Sequence, residues 1–460
     1  MQSRALTAIF LLALCRGCAA LRAKSRVDSQ NVGSYSFTQF LREYEKSYAS
    51  GTNEYSRREA LFEQSRAAIQ ARNAQNKMEG RSWRAGVHPF MDWTAAERKV
   101  LNGYKPAHAR HNSRRGFSLL HERTLGGNRA SSTASSNQTA PDSGGMSFDS
   151  GPALRQQGNC GSCWAISAVE AVEAHLQRRG VNPTPRLSAQ ALVDCVPNPQ
   201  HCGGSGGCDG ATGELAYGFM RDYGIPLETD LPYTAETQTC PQQPLSGPWQ
   251  ATRRARVDGW KQLPSNQAAP LMQALVSDGP VVVAVDGNNW FDYDSGVFDS
   301  CDKDAILGHA VLAKGYGSDA GKKYWLIQNS WGSGWGEQGH IRMLMHEDED
   351  NWCGTDSKPK EGVGCDGGPP QVTVCGTCGI LYDPLIPTGV RIEGGDEAVA
   401  NTGQTFGIGS LDTPATAEQA MNAATPHETP EAATPRETPE AAGQNAEQQM
   451  DALLRGFQTR

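Results

Sequence analysis

Eleven of the chain's thirteen cysteines fall between residues 160 and 378, and no other feature restricts the fold as strongly. The other two, Cys15 and Cys18, lie in a stretch, residues 1–20, that reads as a secretory signal. Arg4 precedes an apolar run from Ala5 to Cys15, and Cys18-Ala19-Ala20 provides small residues for cleavage. In an oxidising route the default use of cysteine is the disulfide. Eleven is odd, so one thiol is left over, either free and reactive or paired between chains. The span from 160 to 378 therefore reads as one stapled unit.

With 460 residues the chain can form two or three domains, and its formal charge of −8 sets up no basic field for nucleic acid. The leader's apolar run is too short to cross a bilayer, and no later stretch reaches about eighteen apolar residues, so no membrane span is expected. Residues 31–104 lack cysteine and carry charges at helical spacing. Residues 105–146 are rich in Ser, Arg, Asn and Gly and read as an exposed linker, with one glycosylation sequon at Asn137-Gln138-Thr139. Residues 147–389 hold the remaining cysteines. Residues 390–460 form a Thr-, Pro-, Glu- and Ala-rich acidic tail with a repeat, AATPHETPE then AATPRETPE, and read as disordered.

Cys160-Gly161-Ser162-Cys163 allows three readings: a redox pair, half a metal site, or one structural and one reactive cysteine. Cys163 opens a helix on which Ala165, Val169, Val172 and Leu176 make one buried stripe, with Arg178, Arg179 and Gly180 as its end. At that helix N-terminus unpaired N–H groups and the dipole favour a thiolate. Further on, residues 280–285, 309–314 and 324–328 read as strands. Helices followed by strands point to an α+β protein of two subdomains.

A thiolate nucleophile needs a proton acceptor, and the acceptor needs an orienting group. LGHAVLAKGYG places His309 at the start of an apolar strand, and QNSWGSGWGEQGHIRM places Asn329 in a turn beside Trp331 and Trp335. Each is weak alone. Together with QGNCGSCWAIS, the three blocks in this order resemble the papain-like cysteine proteases of the cathepsin L-like branch.

The resemblance implies a two-subdomain fold, a helical left half and a β-barrel-like right half, for residues 147–389. It makes Cys163 the nucleophile, His309 its proton partner, Asn329 the holder of the imidazole and Trp331 the shield of that hydrogen bond. Gln157 becomes the oxyanion donor, a kind of group whose loss costs about 3–4 kcal/mol of transition-state stabilisation. Cys160 would bond Cys208, and Cys195 would bond Cys240. Cys301 would bond either Cys353 or Cys378. Cys202, Cys365 and Cys375, with the spare member of that pair, would make two more bridges and leave Cys163 free. A zinc site at Cys365, Cys375 and Cys378 is the rival reading there.

Upstream, Glu54, Arg58, Phe62, Ser65, Ile69 and Asn73 follow the spacing of the cathepsin L-type inhibitory propeptide. GVHPFMD, residues 86–92, resembles its second motif with His88 for asparagine. Residues 21–104 are thus expected to be a helical inhibitory domain whose continuation runs backwards through the cleft, with His88 and Asp92 as pH-sensing candidates. Gly210, Ala211, Gly213, Ala284 and Leu307 would line the substrate cleft. Ala211 replaces a glycine of the family pattern, and Gly308 stands where Asp or Asn is usual. If Cys378 is the partner of Cys301, Asp383 falls at the floor of the specificity pocket and arginine is accepted there. If Cys353 is, Lys358 falls there instead.

The expected activity is that of an endopeptidase made as a zymogen and activated at acidic pH, with no cofactor and no metal. Its expected partners are protein and peptide substrates, its own propeptide and cystatin-like inhibitors. The chain reads as a monomer of the secretory pathway, destined for a lysosome or endosomal vacuole or for the outside of the cell. A thiol–disulfide oxidoreductase using Cys160 and Cys163 and a catalytically dead homologue are the rivals.

Overall fold

The computed structural model describes residues 29–103, 146–147, 151–241 and 253–394. The expected signal, most of the linker with its sequon, and nearly all of the tail lie outside the described residues. The tail boundary is corrected at one point. Arg391–Glu393 forms a strand against Arg254–Arg256, so the fold continues past residue 389 because that edge finds a partner.

The N-terminal part is helical. Helix α1 (Phe37–Glu43) starts at a reciprocal cap between Ser36 and Gln39, and α2 (Asn53–Met78) starts at Thr52. The α2 stripe read from the sequence does the expected holding. Arg58 contacts Glu54 at 2.6 Å and Glu97 of α3 (Ala95–Lys99) at 2.7 Å. Phe62 and Ile69 are fully buried, Ser65 Oγ donates to the Met91 carbonyl, and Asn73 bonds both backbone groups of Ala85. Asp92 is buried inside this domain, accepting from Tyr48 Oη (2.7 Å) and Lys46 Nζ (3.3 Å).

Two cores follow. One surrounds α4 (Cys163–Arg178), α5 (Ala189–Cys195) and α6 (Gly213–Asp222); the other fills an eight-stranded, mostly antiparallel sheet and runs on without a break into the N-terminal helices. In that sheet His309–Asp319 is central, flanked by Val281–Val285 and Lys322–Gln328. Met146–Ser147 adds an antiparallel pair on Tyr316 and Gly315.

Helix α4 differs from the one-stripe expectation. Every residue from Cys163 to Leu176 is buried, because Val282, Leu312 and Leu385 of the sheet close its second side. Part of its polar face is compensated rather than solvated. Glu173 Oε1 accepts from Arg155 Nη2 (2.6 Å) and from the Leu187 N–H (2.6 Å), and both charged groups are buried. Removing one partner of such a pair leaves an unpaired buried charge. Glu173→Ala is therefore expected to destabilise the protein by about 3–5 kcal/mol in denaturant unfolding, several times the effect of removing the exposed partner in the Arg186–Glu228 pair.

Five disulfides resolve the cysteine arithmetic: Cys160–Cys208, Cys195–Cys240, Cys202–Cys365, Cys301–Cys378 and Cys353–Cys375. The Cys301 ambiguity falls to Cys378, and Cys163 is the free thiol among the described residues. Cys365, Cys375 and Cys378 each bond a different sulfur, which leaves no thiolate for the zinc reading. Cys160 is bonded to Cys208, which removes the redox reading of the C-x-x-C pair.

Candidate active site

Helix α4 carries Cys163 at its first residue, and the strand His309–Asp319 carries His309 at its first residue. The two side chains line one pocket at the junction of the two cores. His309 Nε2–H donates to Asn329 Oδ1 at 2.8 Å, a direction set by the acceptor-only amide oxygen. The Ser330 N–H holds the same oxygen at 2.8 Å. Trp331 lies along the imidazole, ring centroids 5.1 Å apart, and keeps water from this bond. The free ring nitrogen, Nδ1, is left for the thiol side.

Gln157 is fully buried and fixed at both ends. Its carbonyl oxygens accept from Ser330 Oγ (2.7 Å, side chain) and Tyr233 Oη (2.8 Å, main chain). Its amide nitrogen donates to Cys160 O (2.9 Å) and to Leu101 O (3.0 Å). Leu101 belongs to the N-terminal domain, so a carbonyl of that domain sits on the donor that sequence reasoning gave to an oxyanion. Gly103, two residues on, takes a left-handed φ of +67° directly over the thiol; a Cβ there would stand 3.3 Å from Cys163 Sγ. The three-residue turn Val100–Asn102 was not singled out in the sequence. Only the 3D contact reveals it.

Several of the residues assigned to the cleft lie together. Ala211, Gly213, Ala284, Leu307 and Asp383 line the pocket shared by Cys163 and His309, and Gly210 packs against the Gly103 carbonyl. Ala211 needs no left-handed backbone, so its methyl is accommodated. Asp383, not Lys358, is at the pocket floor. It is buried, accepts from Gln262 Nε2 at 2.7 Å, and is pushed well above the carboxylate range by burial and by the neighbouring Glu214. Lys358 is exposed beside Glu361.

In the covered site, burial acts against the thiolate that the helix terminus favours. Burial pushes the Cys163 thiol up to about 11, against backbone N–H groups of Ala310, Trp164 and Cys163 that favour the anion. Burial likewise pushes His309 down to about 4, outweighing Asn329 and the Leu101 carbonyl. With Leu101–Gly103 over the site, burial favours the neutral form of both groups. The helix terminus is present, but the cover removes the water that an ion pair requires.

Residues 150–363 match the family model of the papain family cysteine proteases, and residues 37–97 match that of the cathepsin propeptide inhibitor domain. Cathepsin L of Sarcophaga peregrina is 33% identical over 324 residues, 68% of this chain and 87% of that protein. The chain belongs to the papain family of cysteine proteases. Cathepsin S of Rattus norvegicus is 37% identical over 225 residues, 48% of this chain, and the match spans 65% of that protein's length. Digestive procathepsin L 3 of Tenebrio molitor superposes with a TM-score of 0.56 at 27% identity, covering 76% of this chain and 97% of that one. Within the papain family this chain stands with the cathepsin L-like members that carry an inhibitory propeptide, and residues 37–97 are that propeptide.

The propeptide holds the protease domain through Arg84–Ala85, paired with Tyr293–Ser295, and through Phe90, whose ring meets Trp331 edge-on at 5.7 Å. Neutral, covered Cys163 should resist alkylation. Iodoacetamide labelling at pH 7 is expected to be at least about a hundredfold slower in the proprotein than after propeptide removal. Mass spectrometry of the Cys163 peptide provides the measurement, and equal rates would contradict the enclosed thiol.

Proposed function

We propose that the chain hydrolyses peptide bonds through Cys163 and His309 once the propeptide has left. The observation that supports this best is the Leu101 carbonyl on the Gln157 amide: a peptide carbonyl already rests where a scissile carbonyl would. Solvent then reaches the site, and the helix N-terminus with the imidazole beside it favours the thiolate–imidazolium pair. Cys163 Sγ attacks the carbonyl carbon, and the oxyanion takes hydrogen bonds from Gln157 Nε2 and the Cys163 backbone N–H. His309 protonates the leaving amine, then takes a proton from the water that releases the acyl group. Asn329 keeps the ring in the tautomer and plane this requires.

Gln157→Ala is expected to lower kcat by about 10²- to 10³-fold with KM little changed, because the bond it makes strengthens only as charge develops. Cys163→Ala should abolish turnover and labelling by an epoxysuccinyl inhibitor. A folded, propeptide-free protein that neither labels at Cys163 nor cleaves any peptide would sink the reading and favour a dead homologue.

Acid should release the propeptide, and two imidazoles at its interface give the sign. His309 is depressed to about 4 by burial. His88 is fully buried, with Nε2 3.1 Å from Asp292 Oδ1 and Nδ1 accepting from the Phe90 N–H; burial depresses it too, against the pull of Asp292 and Asp92 and with the push of Arg98. Both bind protons more readily once uncovered. Docking is therefore strongest above about pH 6.5 and weakens as pH falls from there toward 4. Asp92 pairs within the propeptide and does not touch the protease domain's site. His88→Asn is expected to shift the midpoint of autoprocessing to lower pH, followed by electrophoresis across pH 7 to 4; an unmoved midpoint would assign the effect to His309 alone.

The apolar walls at Ala284 and Leu307 suit a leucine-like side chain two residues before the scissile bond. Burial and the neighbouring Glu214 favour the neutral form of Asp383, which weakens its attraction for arginine there. The homologues and the leader support a secretory-route destination, lysosomal, vacuolar or extracellular.

A further inference from the structure

Between the strands His340–Leu344 and Leu385–Thr388 the chain makes an excursion. Cys353–Asp356 and Val372–Cys375 pair antiparallel, Cys353 bonds Cys375 across their base, and residues 357–371 reach outward. This segment is anchored on both lips of the cleft. On the sheet side Val363 and Val372 pack on Ala284, Ala305, Leu307 and Val374 in a small core of their own. Asp356 accepts there from the Leu307 N–H (3.1 Å) and the Lys358 N–H (2.7 Å). On the helical side Cys365 is bonded to Cys202. The Gly203 N–H donates to Gly364 O (3.0 Å) and the Asp366 N–H to Gln200 O (2.8 Å), with His201 Nδ1 2.7 Å from Asp366 Oδ2.

The crossing point is close to the thiol. A Cβ on Gly362 would run into the Leu307 carbonyl, and a Cβ on Gly203 into the carbonyls of Gly362 and Ala211. Gly362 and Val363 line the same pocket as Cys163, Gly213 and Asp383. His309 delivers its proton to the departing amine, so that amine leaves on the His309–Trp331 side. The acyl part of a substrate then lies toward the pocket, the end that the excursion spans.

We propose that residues 357–371 wall off the acyl end of the cleft and leave space for about two extended residues before the scissile bond. The favoured reaction is then removal of dipeptides from peptide N-termini. The second residue fills the pocket against Val363, and a third would have to occupy the space of Gly362 and Gly203. The chemistry is unchanged and balanced. The second peptide bond breaks as the dipeptidyl group passes to Cys163 Sγ, His309 protonates the new N-terminal amine, and water releases the dipeptide acid. This inference rests on the peptidase reading above.

A length series on the activated enzyme tests it, using fluorogenic peptides with free N-termini that share Leu-Arg before the reporter and carry no or one further residue, since removal of a dipeptide from the longer one leaves Arg on the reporter and gives no signal. The shorter substrate is expected to have a kcat/KM at least about tenfold higher. Replacing residues 357–371 by a short Gly-Ser link, with Cys202→Ser, should bring the two within about twofold by raising the longer substrate. Should that variant fail to fold, Cys202→Ser with Cys365→Ser frees the tip alone and should raise the longer substrate selectively. Equal turnover of both lengths by the unaltered enzyme overturns the wall and leaves the peptidase reading standing. No turnover of any peptide overturns both.

Discussion

Helix α4 has no exposed face over its first fourteen residues, and the rest of the site depends on that enclosure. The helical core holds one side and the sheet holds the other, so Cys163 is fixed where the two meet. Enclosure has a cost on the polar side of the helix, offset by the Arg155–Glu173 pair and the Leu187 backbone. Arg155 lies two residues before Gln157. The same buried pair that stabilises the helix therefore also fixes the segment that carries Gln157, the proposed oxyanion donor, and its loss should be felt in both stability and geometry.

Inhibition uses the same groups as catalysis. Leu101 O takes the Gln157 amide, Gly103 lies over the thiol, and the cover desolvates Cys163 and His309, which disfavours the charged form of each. Blocking the cleft and discharging the catalytic pair are thus one event, produced by the exclusion of water. On the proposed reading, uncovered imidazoles bind protons more readily, so the interface that covers the site is also the one that acid would loosen.

The five disulfides divide into local and bridging kinds. Cys160–Cys208 and Cys195–Cys240 fix loops within the helical subdomain, and Cys301–Cys378 and Cys353–Cys375 do so within the other. Cys202–Cys365 alone joins the two across the cleft. Such a link limits how far the lips can separate, which is why the segment it holds can act as a boundary for substrate rather than as a loose flap.

Much of this was legible in the chain itself. Parity among the cysteines, the three motif blocks and the propeptide spacings are short-range patterns, and short-range patterns encode local geometry: a helix start at Cys163, a strand start at His309, a stripe from Glu54 to Asn73. They left open the partner of Cys301, which decided between Asp383 and Lys358. They also predicted solvent on one face of α4, and did not single out Leu101 or residues 357–371. Each of these depends on which distant segments exclude water or cross a cleft together. Desolvation and cross-chain contact are properties of the assembled volume, so the sequence alone determined which residues carry the chemistry, and only the tertiary structure decided their charge, their cover and the room left for a substrate.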